Sequence, residues 1–202
     1  IGAKDGELQM TLDPPAMPDG GLRDWGYLAV LGETIYGSTT QPGASRTNHS
    51  KKQIAGTYYD FIPIVTSDSL FCLDRATGQT RWQYQSRGAI LNPTITIGGS
   101  RIYFIESRNR GTLDPKHNGR VTPQDLLSSG SDLIAFDHST GKELWRQSVD
   151  FSQIQHHLYL AYAKEMLVAV GTRNEAAGNN NTVRYDIATF NAGTGKLRWN
   201  AT

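Results

Sequence analysis

The 202-residue sequence has little charge, one cysteine and no long apolar run. Charged residues make up 19% of it, below the roughly 25% that is usual for soluble domains. Because Cys72 has no second cysteine to pair with, a small scaffold held together by internal disulfides is excluded. The longest clean apolar stretch, residues 166–170, is far short of the ~20 residues that a membrane-spanning helix needs. The net charge of +1 gives no indication of a nucleic-acid partner.

Glycine, by contrast, is abundant. The 21 glycines are about 10% of the chain, against an average near 7%. This composition is typical of many short strands joined by tight turns. It disfavours a coiled coil, which needs Ala, Glu, Lys and Leu in bulk, and the apolar runs disfavour a disordered chain. No helix of useful length is predicted.

Three eleven-residue segments align without a gap and mark an internal repeat. They read CLDRATGQTRW from Cys72, AFDHSTGKELW from Ala135 and TFNAGTGKLRW from Thr189. Aspartate or asparagine stands at position three, threonine at six, glycine at seven and tryptophan at eleven. These residues are Asp74, Thr77, Gly78 and Trp82 in the first copy, Asp137, Thr140, Gly141 and Trp145 in the second, and Asn191, Thr194, Gly195 and Trp199 in the third.

The repeated residues predict a turn between two strands. The side-chain oxygen at position three accepts backbone N–H groups of the residues that follow, and glycine takes a positive φ without steric cost. The apolar runs at residues 70–73 and 133–136, which precede two of these turns, indicate sheets covered on both faces. We therefore expect each tryptophan to pack against the neighbouring copy.

A second hairpin precedes each turn, so that each copy holds four antiparallel strands. The predicted strands of these hairpins run over residues 25–31 and 33–39, 93–97 and 100–107, and 158–162 and 165–172. Four-stranded units that cover one another's faces are typical of a β-propeller.

The repeated string resembles the tryptophan-docking motif of the PQQ-like (pyrroloquinoline quinone) propeller repeats. These repeats are found in quinoprotein dehydrogenases and in outer-membrane assembly lipoproteins of the BamB type. The sequence departs from the pattern at Cys72 and Thr189, which replace a small alanine, and at Asn191, which replaces aspartate. Neither change should break the turn.

The predicted fold is therefore an all-β propeller of four-stranded antiparallel blades, of which about three are present. The predicted boundaries are an N-terminal segment over residues 1–24 and blades over residues 25–86, 92–149 and 157–202.

Three blades are too few to close a ring, since known propellers have about four to eight. The chain is then part of a larger propeller, which we favour, or it associates with other copies, or residues 1–24 supply strands of a further blade. Residues 7–12 alternate like a strand and could be the outer strand of a preceding blade. Exposed apolar faces are expected on the first and last blades, and with them dimerisation or aggregation.

The strand order places long connections on one face of the propeller, which we call the top face. They span residues 40–67, 108–130 and 173–182, and long loops on a rigid scaffold are the usual place for binding. Nine basic side chains outnumber four acidic ones here. The basic set is Arg46, Lys51, Lys52, Arg108, Arg110, Lys116, Arg120, Arg173 and Arg184, and the acidic set is Asp60, Asp114, Asp125 and Glu175.

This basic rim has two interpretations. It could form a funnel for an anionic ligand or an acidic partner surface. Alternatively, the cations pair locally with acidic side chains.

A small set of residues should line the mouth of the central channel, at the ends of the inner strands. The candidate ligand-binding residues are Trp25, Asp24, Asn92, Arg108, His157 and Arg173. Trp25 lies outside the repeat register, so it could stack on a ring-shaped ligand or be an ordinary core aromatic. His156 and His157 are adjacent on an extended strand and point to opposite faces, so no metal site is predicted there.

Two functions follow from the resemblance. A third hypothesis is that the chain is a structural sensor or spacer in a larger protein. The first is a non-catalytic module that presents top-face loops to a protein, a glycan or an anionic ligand, with no catalytic residue, metal or cofactor. The resemblance also implies a bacterial periplasmic, cell-envelope or extracellular location. Nucleic acid is not expected as a partner, and no transmembrane segment is expected. The units of the chain would pack against either another copy or the remainder of a larger propeller.

The alternative is part of a PQQ-dependent alcohol or sugar dehydrogenase. The resemblance then implies PQQ in the top-face funnel, often between a tryptophan and a disulfide of adjacent cysteines, beside a Ca²⁺ ion and an aspartate base. The sequence has no adjacent cysteines, and Asp24 and Asn92 are the only funnel oxygens that we can name. Two oxygens are too few for a calcium site, which takes about six to eight.

Overall fold

The chain folds almost entirely as antiparallel β-sheet. The structure is a computed structural model that describes residues 4–45, 63–177 and 180–202. Its strands form three successive four-stranded antiparallel arrangements, here called the first, second and third units. The predicted all-β propeller class is confirmed, and the number of blades stays a prediction.

In the first unit the strands follow one another in space as they do in sequence. They are β1 (Asp24–Leu31), β2 (Thr34–Thr40), β3 (Ile64–Asp74) and β4 (Thr80–Leu91).

The second unit begins with a 3₁₀ turn, Asn92–Thr94, and contains β5 (Thr96–Gly98), β6 (Arg101–Ser107), β8 (Ser131–Asp137) and β9 (Glu143–Val149). A strand was predicted over residues 93–97, but only its second half forms. Pro93 lies at the start of the 3₁₀ turn, and a proline has no N–H to give to a strand ladder.

The insertion between β6 and β8 carries its own short elements. They are the 3₁₀ turns Arg110–Leu113 and Pro115–His117, the strand β7 (Arg120–Val121) and an α-helix, Pro123–Leu127. The strand β7 pairs with the beginning of β3 in the first unit.

The third unit contains β10 (Leu158–Ala163), β11 (Met166–Ala177), β12 (Asn180–Asn191) and β13 (Leu197–Ala201). Residues 173–182 were predicted as a long loop, and this prediction is wrong because β11 and β12 stay paired within this stretch, from Arg173 opposite Arg184 to Ala177 opposite Asn180. The side chains of Arg173 and Asp186 form an ion pair at 2.8 Å on these two strands, and opposite charges on neighbouring strands stabilise a sheet.

Alternate residues of β8 enter two different cores. Ile134 and Phe136 pack with buried side chains of the first unit, among them Cys72. Leu133 and Ala135 pack with those of the third unit. Because the second unit is covered on both faces, its strands are apolar at successive positions.

The tryptophan of each of the first two units contacts the turn of the next unit. The Trp82 indole N–H donates to the carbonyl oxygen of His138 at 2.9 Å, and that of Trp145 donates to Ala192 at 3.2 Å. A Cβ atom on Gly141 would lie 2.5 Å from the Trp82 ring, and one on Gly195 would lie 2.6 Å from the Trp145 ring. The absence of a side chain at these glycines therefore makes room for the indoles.

The turns that receive the indoles are built around one side-chain oxygen. Asp137 Oδ1 accepts from the backbone N–H groups of Ser139 and Thr140 at 3.0 and 2.9 Å, and from both hydroxyls. These hydrogen bonds lower the pKa of Asp137 to about 2, and the bond from the Ser139 hydroxyl has the largest effect. The equivalent Asn191 accepts from Thr194 N at 3.0 Å, so an amide oxygen serves as well as a carboxylate.

The first unit is covered on its other side by the N-terminal segment. The side chain of Leu12 packs with Phe71 and Leu73, and a Cβ atom on Gly78 would lie 2.6 Å from Leu12 Cδ2. Residues 7–12 do not form the predicted strand: residues 7–11 are exposed, and Leu12 packs on the sheet. The expectation of an exposed apolar face on the first unit holds in part: Phe71 and Leu73 are buried, while Leu28 and Val30 on β1 are 61% and 54% exposed.

We predict that Trp82→Ala lowers the free energy of unfolding by about 3 to 5 kcal/mol, the usual cost of truncating a buried tryptophan. Trp82 is 9% exposed. The matched variant Trp82→Phe keeps a ring against Gly141 and loses the N–H bond, so it should cost about 1 to 2 kcal/mol. Urea titration measures both values, and a loss below about 1 kcal/mol for Trp82→Ala would contradict the packing described here.

We also predict that two glycine substitutions differ in cost. Gly32 and Gly141 have φ angles of 58° and 69°, but a Cβ atom on Gly32 would meet nothing within 4 Å. Gly32→Ala should cost about 1 to 2 kcal/mol of backbone strain, and Gly141→Ala a further 1 to 3 kcal/mol, roughly, from overpacking against the indole. Thermal unfolding of the two variants measures the difference, and equal costs would show that the indole can move aside.

Candidate functional site

The insertion between β6 and β8, residues 108–130, is the most elaborate structure on the top face. Three side chains order it locally: Asn109 accepts from Gly111 N, Asp114 from Lys116 N and Thr122 from Asp125 N. Each closes a turn with its own side-chain oxygen. The insertion is thus folded through its own hydrogen bonds.

The same insertion is fastened to the first unit. The Arg120 guanidinium donates to the carbonyl oxygens of Ala44 at 3.0 Å and Pro63 at 2.9 Å. Val121 and Leu126 are fully buried beneath it. These contacts make the insertion a rigid platform that spans two units.

The cations of the predicted basic rim are largely paired within the chain. Arg108 contacts Asp132 at 2.6 Å, Lys116 contacts Asp114 at 3.2 Å, and Arg184 contacts Glu175. Arg46, Lys51, Lys52 and Asp60 lie outside the described residues. Among the residues described, these cations therefore pair locally with acidic side chains, as in the second interpretation of the basic rim.

Two candidate cations occupy equivalent positions in their units. Arg108 and Arg173 each lie two residues after the residue that faces an aspartate on the third strand of the unit, and each pairs with that aspartate, Asp132 or Asp186. The first unit has Gln41 and Ser69 at these positions. These cations therefore belong to a repeated structural pair.

Trp25 is part of the core rather than an open stacking surface. Its ring meets Phe71 edge-on with centroids 5.1 Å apart, and its indole N–H donates to the carbonyl oxygen of Leu12 at 3.2 Å. A Cβ atom on Gly37 would lie 2.5 Å from the ring. Of the two alternatives for Trp25, the structure agrees with an ordinary core aromatic.

The two candidate oxygens, Asp24 and Asn92, also have partners in the chain. Asp24 Oδ2 accepts from the backbone N–H of Gly43 at 2.8 Å. Asn92 Oδ1 accepts from the Ser67 hydroxyl at 2.6 Å. The first contact holds the beginning of the loop after β2, and the second joins the first unit to the second.

The adjacent histidines have separate surroundings. His156 Nε2 lies 3.0 Å from Asn174 Oδ1. His157 stacks on Tyr159 with ring centroids 6.0 Å apart, and burial, together with the charge of His156, lowers its pKa. In the part of the chain that the structure describes, no three His, Cys, Asp or Glu side chains are grouped so that they could hold a metal ion.

A buried charged cluster joins the first two units, and the sequence analysis missed it. Glu106, 2% exposed, accepts from the Tyr84 hydroxyl at 2.7 Å and lies 3.5 Å from the Arg146 guanidinium. Arg146 also contacts Asp132 at 3.1 Å, and through it the cluster reaches Arg108. The available signal was a single glutamate inside the apolar strand IYFIES.

One family model matches part of the chain. A family model described as outer membrane protein assembly factor BamB matches residues 111–202, a little under half of the chain. Residues 111–202 carry PQQ-like propeller repeats. The match covers the second and third copies of the tryptophan motif, and no curated protein matches the sequence.

Solved structures similar to these PQQ-like repeats are distant. The europium-containing methanol dehydrogenase is 16% identical, with a TM-score of 0.47, over 90% of this chain and 25% of that one. The quinohemoprotein alcohol dehydrogenase from Comamonas testosteroni is 18% identical, with a TM-score of 0.44, over 86% and 20%. The rhamnogalacturonan lyase YesW is 15% identical, with a TM-score of 0.40, over 94% and 37%.

This chain thus spans 20 to 37% of the length of those proteins. At these scores the similarities assign neither an activity nor a ligand to it. Across the described residues, no helix has the length and apolar character needed to cross a membrane.

The two candidate funnel oxygens, of Asp24 and Asn92, do not fit a quinone and calcium site. Asp24 and Asn92 direct one oxygen each at Gly43 and Ser67, which are structural partners. Six to eight oxygens, roughly, would have to converge for Ca²⁺. The oxygens described around these two residues serve hydrogen bonds within the fold instead.

We predict that Glu106 makes stability depend on pH. Burial raises the pKa of Glu106, although the Tyr84 hydroxyl and Arg146 lower it. A raised pKa in the folded state gives stability that is fully present below the unfolded pKa, about 4.3, and is lost as the pH rises through the folded pKa. The chain should therefore lose stability relative to Glu106→Gln between about pH 4 and pH 7.

Urea titration of both proteins at the two pH values measures this difference. Tyr84→Phe removes a donor to the carboxylate and should widen the loss. A difference that is constant with pH would show that folding leaves the pKa of Glu106 unchanged, and one that changes in the opposite direction would show that the cluster stabilises the ionised carboxylate. Either result would contradict the prediction.

Proposed function

We propose that the chain is a non-catalytic PQQ-like propeller module that presents its top face to a partner protein or a glycan. The observation that carries the proposal is the insertion over residues 108–130, which is folded and fastened across two units. A loop that is already ordered loses little entropy on binding, so more of its contact energy becomes affinity.

The exposed side chains of the insertion provide the contacts. Arg110, Lys116 and Gln124 are exposed, while Val121 and Leu126 beneath them are buried. Polar groups above a fixed apolar base can form directional hydrogen bonds with a peptide or with sugar hydroxyls. The paired state of Arg108, Arg173 and Arg184 favours such partners over a small anion.

The location that we propose is the bacterial cell envelope or the extracellular space. Support comes from the family model that matches residues 111–202, whose description names an outer-membrane assembly factor. The module would meet its partner protein or glycan there.

The test compares a top-face variant with a matched variant of the opposite face. The first combines Arg110→Ala, Lys116→Ala and Gln124→Ala, and the second combines Lys142→Ala, Lys164→Ala and Lys196→Ala, which are exposed in turns on the other side. Both are applied with the wild type to a printed glycan array and to a tiled peptide array of envelope proteins.

The wild type and the opposite-face variant should bind the same probes. The top-face variant should bind them at least about tenfold more weakly, since losing about 1.4 kcal/mol of contact energy has that effect. Equal binding by all three proteins, or no probe above background, would overturn the proposal. So would dye-linked oxidation of an alcohol after addition of the quinone and Ca²⁺.

A further inference from the structure

A narrow cleft lies between the first unit and the top-face insertion. The first unit lines it with Thr40, Gln41 and residues 66–68, and the insertion lines it with residues 112–114 and Gly119. The cleft is partly open to solvent and has room for about one group of the size of a water molecule. It is therefore a site for a single small ligand rather than for a peptide or a sugar ring.

The hydroxyl of Thr40 faces this cleft and has no partner. Thr40 is 1% exposed, and its Oγ1 forms no hydrogen bond within the described part of the chain. Thr40 lies on the side of β2 that carries Tyr36, which packs with residues of the second unit. A Cβ atom on Gly119 would lie 2.8 Å from Thr40 Oγ1, so the hydroxyl is directed at the insertion. A buried hydroxyl without a partner costs free energy, and a ligand in the cleft would recover it.

Two further oxygens of the cleft belong to Thr66 and Gly119. The carbonyl oxygen of Gly119 accepts from the backbone N–H of Thr66 at 3.0 Å, and the Thr66 hydroxyl lies 3.4 Å from the same oxygen. The second distance is long for a bond from a hydroxyl, so Thr66 Oγ1 has capacity left for a ligand. Hydroxyl and carbonyl oxygens thus come from both walls of the cleft.

Two carboxylates, and no cationic side chain, lie among the described residues that line the cleft. Asp68 accepts from Arg23 at 2.6 Å and from Thr39 at 2.5 Å, so its charge is balanced within the chain. Asp114 pairs with Lys116, whose side chain is 69% exposed, and the backbone N–H of Lys116 lowers the pKa of Asp114. The lining therefore favours a cation over an anion. A single available carboxylate among neutral oxygens suits a monovalent ion, since Ca²⁺ takes about six to eight oxygens.

We propose that this cleft binds a monovalent cation of the size of K⁺ or ammonium. The ion is held by Thr40 Oγ1, Thr66 Oγ1, the Gly119 carbonyl oxygen and the Asp114 carboxylate, because hydroxyl and carbonyl oxygens can replace the hydration shell of such an ion. It joins the end of β2 and the beginning of β3 to the insertion. The ion belongs to the structure of the chain itself, so the proposal goes beyond partner binding and is tested without a partner.

The experiment measures thermal unfolding by circular dichroism while K⁺ replaces tetramethylammonium at constant chloride concentration. Tetramethylammonium is too large for the cleft, so the two salts differ at the site and not in ionic strength. The midpoint of the wild type should rise and then saturate, by about 2 to 4 °C once K⁺ is about fivefold above its dissociation constant. A midpoint that does not change with this exchange would overturn the proposal and leave a bound water as the partner of Thr40.

Two pairs of variants place the ion in the cleft. Thr40→Val keeps the shape of the side chain, removes its oxygen and should abolish the rise caused by K⁺. Its matched control, Thr172→Val, removes a hydroxyl of the third unit that also lacks a described partner, and the rise should equal that of the wild type. Asp114→Asn keeps an oxygen for the N–H of Lys116 but removes the charge, so the dissociation constant for K⁺ should increase at least about fivefold. Asp125→Asn, in the same insertion, should leave it within about twofold.

A crystallographic measurement locates the ion directly. Rb⁺ is close to K⁺ in size and scatters anomalously, so crystals soaked in RbCl should show an anomalous peak between Thr40 Oγ1 and the Gly119 carbonyl oxygen. The peak should be missing from Thr40→Val, and from Asp114→Asn at low Rb⁺ concentration if the first variant does not fold. A response to K⁺ that persists in Thr40→Val, an equal loss in Thr172→Val, or Rb⁺ peaks only outside the cleft would each overturn the proposal.

Discussion

The structure depends on one contact between neighbouring units, an indole placed on a glycine. At Trp82 and Gly141 the ring occupies the space that a Cβ atom would need, while the indole N–H satisfies a backbone carbonyl of the same turn. An aromatic ring supplies a large buried area, and the hydrogen bond fixes its direction. A single tryptophan per unit can therefore set both the distance and the orientation of the next unit.

A second, polar connection lies between the first two units. Glu106 and Arg146 of the second unit meet Tyr84 of the first. Buried charges cost desolvation energy, which the ion pair and hydrogen bonds of this cluster must offset. The top-face insertion spans the same two units. The surface proposed for binding therefore lies where the first and second units are joined by several separate contacts.

The fold could be predicted from the sequence because its signal recurs. The same turn-forming residues occur three times in the motif that ends at Trp82, Trp145 and Trp199, so each copy supports the prediction made from the others. The side chains of the top face occur once each, and no second copy supports their assignment. Arg108 and Arg173 could be placed on the top face, but their pairing with Asp132 and Asp186 depends on strand register. Turn chemistry is local, and side-chain pairing across strands is not, so the site could be predicted only as a surface.

The contact between Trp82 and Gly141 can be tested by a double-mutant cycle. Once Trp82→Ala has removed the ring, Gly141→Ala no longer meets it and should cost only the strain of its positive φ. The two changes should therefore be coupled by more than about 1 kcal/mol, since residues in direct contact typically show interaction energies of 0.5 to 3 kcal/mol, roughly. Costs that simply add would contradict the account, because they would mean that the ring and the glycine do not sense each other.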